Sequence, residues 1–214
     1  MIWPTVCVDN FFSNPDAIVA YANKQKFESD NRSPGKRSPL LHETDFKFFR
    51  WSCLKILKIF YPHHFDNLNW KAKATFQKVP PNLDLDGWIH TDSDWELTAI
   101  VYLSKNSETG TSIYNREILG KRIYEDKAKY NYFKNPTVTG KSRALITQAR
   151  KENNEGFKET ISFKGLYNRL VMFDGAHFHA AHVHNKGSED RLTYIIGFEN
   201  ISSDKYPLPE SNRI

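Results

Sequence analysis

The chain has 214 residues, of which 39% are hydrophobic, 26% charged and 14% aromatic. This is enough for one large domain with a substantial core, and too apolar for wholesale disorder. No run approaches the length of a membrane-spanning helix, and the two cysteines, Cys7 and Cys53, with no C-x-x-C, exclude a cysteine zinc site.

MIWPTVCVDN has no basic n-region and no long apolar run, so no signal peptide is expected. Together with the scarcity of cysteine this reads as a reducing, cytoplasmic setting. IWPTVCV reads as a short strand. SNPDAIVAYANKQKF reads as a helix, with Asn14 as cap, Pro15 in the first turn and Asp16 at the positive end. Residues 28–42, containing SPGKRSP, read as a loop. TDFKFFRWSCLKILKIFYP predicts an amphipathic helix with Thr44 as cap and Pro62 as stop. Phe46, Phe49, Leu54, Leu57 and Phe60 are expected on its buried side.

Beyond Asn69 the segments WKAKATFQKV, WELTAIVYLS, GTSIY, ETISF, NRLVMF and RLTYIIGFE are short, β-rich and separated by turn residues. They predict an α+β, mainly β fold: a sandwich or barrel with the early helices packed outside it. A single domain is expected: a strand and supporting helices over 1–69, a β core over 70–200 and a tail over 201–214. A polar, partly helical insertion at about 115–157 interrupts the core. The net charge is +5, and Arg116 to Arg169 alone holds 13 Lys/Arg against 6 Asp/Glu. That segment is either a solvated basic insertion or a surface for an anionic partner.

In GWIHTDSDWELTAIVYLS, His90 and Asp92 stand at i and i+2, which places them on one face of an extended segment. With 8 His and 13 Asp in the chain, roughly half an H-x-D arises by chance. The pair therefore needs partners. A mononuclear iron(II) site takes two His and one carboxylate on one side and leaves positions open on the other. Candidates for the second His lie in FDGAHFHAAHVH: His177, His179, His182 and His184, although a His-rich tract also suits a plain loop. In EDRLTYIIGFE, Arg191 shares a strand face with Thr193 and Ile195. An Arg among apolar neighbours wants a carboxylate, from a ligand or from an internal salt bridge.

Taken in order, His90-Thr91-Asp92, LTAIVYLS, GTSIY, RLVMFDGAHFHAA and DRLTYIIGF resemble the iron(II)/2-oxoglutarate-dependent dioxygenases, most closely their prolyl-hydroxylase-like branch, over roughly residues 70–200. Members place a distal His about six residues after a strand Phe and an Arg about ten to twelve beyond it. Counting from Phe173, these are His179 and Arg191. The resemblance implies a double-stranded β-helix (jelly-roll, cupin-like) core. It implies Fe(II) on His90, Asp92 and His179, with His177 as runner-up. It places the distal carboxylate of 2-oxoglutarate on Arg191 and Tyr102, with Thr98 and Thr193 lining the cosubstrate pocket. The implied reaction uses O2 to hydroxylate a C–H bond of a peptidyl or amino-acid-like substrate, with release of succinate and CO2.

Two departures stand out: a single Gly110 where a glycine pair often precedes T-x-x-Y, and the long insertion after Tyr114. Tyr124, Tyr130, Tyr132 and Phe133, interleaved with Lys and Arg, permit nucleic acid as a partner. The nucleic-acid dealkylases of this superfamily, however, carry a second Arg six residues beyond the first, where this chain has Gly197. Trp88 and Trp95 are either pocket walls or packing residues. The readings of a different class are a non-enzymatic β-sandwich binding or assembly module, and a metal-dependent hydrolase built on the same ligands.

Overall fold

Alternation along the last strand sets up the layers. In β9 (Arg191–Ser202) Leu192, Tyr194, Ile196 and Phe198 point one way into an apolar cluster, while Arg191, Thr193 and Ile195 point the other way into a cavity. The computed structural model describes residues 3–29, 33–62, 68–81, 86–105, 109–117, 141–204 and 207. Upstream of β9 lie β1 (Val6–Val8), α1 (Pro15–Asn23), β2 (Lys36–Arg37), α2 (Leu41–Thr44), α3 (Phe46–Phe60), β3 (Asn69–Val79), β4 (Leu97–Tyr102) and β5 (Gly110–Arg116). They are followed by α4 (Lys141–Asn154), β6 (Phe157–Lys164), β7 (Arg169–Asp174) and β8 (Phe178–Ala181).

Two sheets result, a major one in the order β1-β7-β4-β9-β3-β2 and a minor one in the order β6-β5-β8. Every strand pairing within them is antiparallel. The outer face of the major sheet carries Ala74, Phe76, Ala99, Val101, Leu170, Met172, Tyr194 and Ile196, and α3 packs onto it with Phe49, Cys53, Ile56, Leu57 and Phe60. A second small cluster, Tyr102, Ile113, Val171 and Phe173, joins the inner faces of the two sheets. This is the jelly-roll, cupin-like architecture, with the N-terminal helices outside the β core. No helix among the described residues is long and apolar enough to cross a membrane.

Several local expectations change. Thr44 ends α2, and Asp45 caps α3 instead, its carboxylate accepting from the Phe48 amide at 2.9 Å. The buried stripe of α3 follows Phe49, Ser52/Cys53, Ile56/Leu57 and Phe60. Leu54, off that stripe, is half-buried, and Phe46, in the first turn, is 61% exposed and lies over Phe49 from the solvent side. The loop expected over 28–42 contains the two-residue edge strand β2, too short to leave an alternation pattern. Within the His-rich tract Phe178–Ala181 form a strand, β8, which carries His179 alone of the four histidines and pairs with β5 from Thr111–Ala181 to Tyr114–Phe178. The aromatics Tyr124, Tyr130, Tyr132 and Phe133 lie outside the described residues, and α4 accounts for the C-terminal end of the expected insertion.

Candidate metal centre

The segment before β4 becomes a short piece of sheet. His90 and His179 exchange backbone hydrogen bonds, His90 N to His179 O at 3.1 Å and His179 N to His90 O at 2.8 Å, and the Gly87 amide donates to Ala181 O at 2.9 Å. The two His side chains thus lie directly opposite one another, with ring centroids 4.4 Å apart. Phe173, on β7 of the major sheet, packs against the His179 ring with centroids 4.6 Å apart. Asp92 follows in a turn. Its amide donates to Gly175 O at 2.8 Å, and its carbonyl accepts from the Trp95 amide at 3.0 Å. Gly175 is required there, because a Cβ would stand 1.9 Å from Trp95 O. Asp174 buttresses the same turn by accepting from the Trp3 and Ala176 amides, each at 2.8 Å.

The side chains converge. One ligand atom from each of His90, Asp92 and His179 lies within 4.8 Å of the others. His179 Nε2 is 3.3 Å from Asp92 Oδ2, and His90 Nε2 is 3.7 Å from Asp92 Oδ1. Each ring turns its Nδ1 to the carbonyl two residues earlier, His90 to Trp88 O at 2.7 Å and His179 to His177 O at 2.9 Å. A carbonyl only accepts, so Nδ1 of each ring is a donor, and Nε2 is the atom each ring turns to the centre. Burial alone would raise the Asp92 carboxyl, but His179, His90 and the Thr98 hydroxyl outweigh it and hold the group well below the usual carboxylate range. Thr98 Oγ1 donates to Asp92 Oδ2 at 2.7 Å. Thr98 therefore orients the carboxylate besides lining the cavity. His177 lies outside the convergent group and contributes its carbonyl.

A cavity of about 160 Å³ is lined by these three side chains together with Arg191 and Thr193. Arg191 is 6% exposed and Thr193 1%. Among the described residues, neither Arg191 Nε nor Thr193 Oγ1 has a hydrogen-bond partner. Burial pushes the Arg191 guanidinium's pKa down, with Tyr102 acting against it, but Arg remains a cation. A buried cation in a polar recess is costly unless an anion joins it. Tyr102 lines the same cavity with its hydroxyl 2.6 Å from Thr111 Oγ1, a pairing absent from the sequence expectation, although Thr111 stands in the quoted GTSIY. His184 also lines it. Burial, reinforced by Arg191 and Arg150, pushes His184 down to about 3, so this ring is neutral. Trp88 and Trp95 are both wall residues. The Trp95 indole lies against Gly197, where a Cβ would come within 2.0 Å of the ring.

A family model described as a family of unknown function (DUF6445) matches residues 3–193. No curated protein matches the chain. Solved structures of the same fold include HygX from Streptomyces hygroscopicus with nickel and 2-oxoglutarate bound, with TM-score 0.53 and 11% identity over 91% of this chain and 82% of that one. The 2-oxoglutarate-dependent carbocyclase SnoK from nogalamycin biosynthesis aligns with TM-score 0.53 and 12% identity over 98% of this chain and 84% of that one. The corresponding epimerase SnoN aligns with TM-score 0.52 and 11% identity over 91% and 76%.

Proposed function

Because the chain belongs to the DUF6445 family, its activity has to be argued from its own site, and we propose that it is an iron(II)- and 2-oxoglutarate-dependent oxygenase. One observation carries the reading. Two imidazole Nε2 atoms and an ionised carboxylate converge in the wall of a cavity that is also lined by a buried Arg and Thr with unbonded polar atoms. The donor set fits iron(II), since two His and one carboxylate supplied from one side leave positions for other ligands. The recess fits 2-oxoglutarate, since Arg191 offers a fork for a distal carboxylate and Thr193 a hydroxyl beside it. Three neighbours of the fold, HygX with nickel and 2-oxoglutarate and the two 2-oxoglutarate-dependent enzymes SnoK and SnoN, support this reading.

When bound together, iron, 2-oxoglutarate and O2 supply an oxidation that splits the 2-oxo acid into succinate and CO2, one oxygen atom entering succinate and the other the substrate's C–H bond. The residues do the rest. His90 and His179 present fixed Nε2 atoms because their Nδ1 atoms donate to the Trp88 and His177 carbonyls. Thr98 fixes the rotation of the Asp92 carboxylate. Arg191 neutralises the buried end of the cosubstrate, with Tyr102 and Thr111 beside it in the same cavity. Trp88 and Trp95 wall the cavity against water.

The proposed reaction is hydroxylation, and the proposed substrate is peptidyl or amino-acid-like, following the prolyl-hydroxylase-like order of motifs. A small organic substrate is the second reading. It is favoured by the HygX structure that holds hygromycin B, and by the two enzymes of nogalamycin biosynthesis. Nucleic acid is disfavoured by Trp95, whose ring fills the space a second Arg at position 197 would need. Thermal melts of metal-free protein under anaerobic conditions test the reading, since a ligand of the folded state raises Tm by mass action. Mn(II) should raise Tm, 2-oxoglutarate should raise it further only with Mn(II) present, and Arg191→Ala should abolish the second step alone. No response to 2-oxoglutarate at any concentration would overturn it.

A further inference from the structure

His90 sits on a segment that β8 holds from one edge only, through Gly87 and His90. The backbone groups facing the other way need partners, because buried amides and carbonyls are almost always bonded. The end of α4 supplies them. The Asn154 amide group spans the segment as a neighbouring strand would, its Oδ1 accepting from Ile89 N at 3.1 Å and its Nδ2 donating to Gly87 O at 2.9 Å. Asn153 Nδ2 donates to Ile89 O at 3.0 Å and also to Asn154 Oδ1 at 3.1 Å, which ties the two amides together. One turn earlier, Arg150 reaches Asp86, where the segment begins, at 2.7 Å. Positions i, i+3 and i+4 lie on one helix face, so a single face of α4 grips Asp86, Gly87 and Ile89 on the way into His90.

From this geometry we propose that Asn153, Asn154 and Arg150 are positioning residues for the metal, acting through the backbone of Gly87–His90. The inference rests on the metal site proposed above. Between Asn154 and the centre stand one peptide segment and one ring. Ile89 N and O are fixed by the asparagines, and His90 N and O by His179, while Trp88 O, in the same peptide unit as Ile89 N, accepts a hydrogen bond from His90 Nδ1. Releasing the outer edge frees the Trp88 carbonyl to rotate, and with it the ring that carries Nε2. Outer partners of metal-bound His typically change metal affinity when removed.

The test is anaerobic Mn(II) titration of the whole chain, followed by calorimetry and by the Mn(II) resonance signal. Asn154→Ala should weaken Mn(II) by about tenfold, the lower end for groups that orient a ligand from outside. Arg150→Gln, which loses the Asp86 contact at the segment's start and a charge that acts on His184, should weaken it about threefold. The affinity of Mn(II)-loaded protein for 2-oxoglutarate should stay unchanged in both, because Arg191 and Thr193 lie on a different strand. Gln148→Ala, on the exposed side of α4, should leave Mn(II) affinity unchanged. A clamp that is only structural would lower the melting temperature of metal-free Asn154→Ala and leave its Mn(II) affinity within twofold of the unaltered protein, and that result would overturn the proposal. Should Asn154→Ala not fold, an unchanged Mn(II) affinity in Arg150→Gln overturns it equally. If the unaltered protein binds no Mn(II), the metal site falls and the clamp with it; if it binds and the variants bind equally, only the clamp falls.

Discussion

At the residue scale, the site is built from groups that are poorly satisfied without a ligand. Arg191 is a buried cation whose Nε has no acceptor among the described residues. Replacing a lone buried charge by an apolar side chain of similar length should stabilise the ligand-free fold by roughly 1–3 kcal/mol. Arg191→Met is therefore expected to melt higher than the unaltered protein when both are stripped of metal and 2-oxoglutarate, by about 2–4 °C per kcal/mol. The order should reverse once Mn(II) and 2-oxoglutarate are saturating. Thr98 makes a narrower test. Thr98→Val keeps the shape and removes the hydrogen bond to Asp92, and Mn(II) affinity should fall about tenfold in calorimetry. His184 adds a pH signature. Its folded pKa is pushed down to about 3 from 6.5, so the folded state holds it neutral while the unfolded chain protonates it. Its contribution is full above about pH 6.5 and is lost as pH falls toward 3, on the order of 2 kcal/mol by pH 5. Urea melts from pH 7 to pH 5 should show that slope, and His184→Gln should flatten it.

At the element scale, α3 is tied to the sheet by one buried polar link inside an apolar layer. The Ser52 hydroxyl donates to Phe49 O at 2.8 Å, so the Tyr194 hydroxyl, 2.7 Å away, is left to donate to Ser52 Oγ. Tyr194→Phe removes a donor and leaves Ser52 bonded, which should cost about 1 kcal/mol. Ser52→Ala leaves the Tyr194 hydroxyl without that acceptor in a fully buried position and should cost about 1–3 kcal/mol. Denaturant unfolding that ranks Tyr194→Phe as the more costly of the two would contradict this direction of bonding. The same scale separates what the sequence reveals from what it hides. β4, β7 and β9 are readable because each alternates between an apolar cluster and a second face. β2 is hidden because two residues make no pattern, and β8 because the four residues around His179 sit in a His-rich tract that looks like a polar loop until β5 is set beside it.

For the whole molecule, the mainly β core with helices outside was legible, because strand periodicity and turn residues recur over more than half the chain. Of the candidate metal site, the His90/Asp92 pair was legible by type and spacing, whereas spacing left four histidines open for the third ligand and only the family resemblance pointed to His179. The structure brings those three side chains together. Thr98's role toward Asp92, the Tyr102–Thr111 pair and the α4 clamp were not legible. Each is a contact between side chains, or between a side chain and backbone, whose partners lie on different elements, and the clamp crosses 64 residues or more without a local pattern.

The central claim is that one cavity holds one small molecule between a metal on His90, Asp92 and His179 and the guanidinium of Arg191. The direct measurement is calorimetric binding of 2-oxoglutarate under anaerobic conditions with Mn(II) present, to the unaltered protein, Asp92→Ala, Arg191→Ala and the double variant. The account predicts Mn(II)-dependent binding to the unaltered protein, loss of Mn(II) and 2-oxoglutarate together in Asp92→Ala, loss of 2-oxoglutarate alone in Arg191→Ala, and no further loss in the double variant. Binding of 2-oxoglutarate that is equally tight in the unaltered protein and in Asp92→Ala would contradict it.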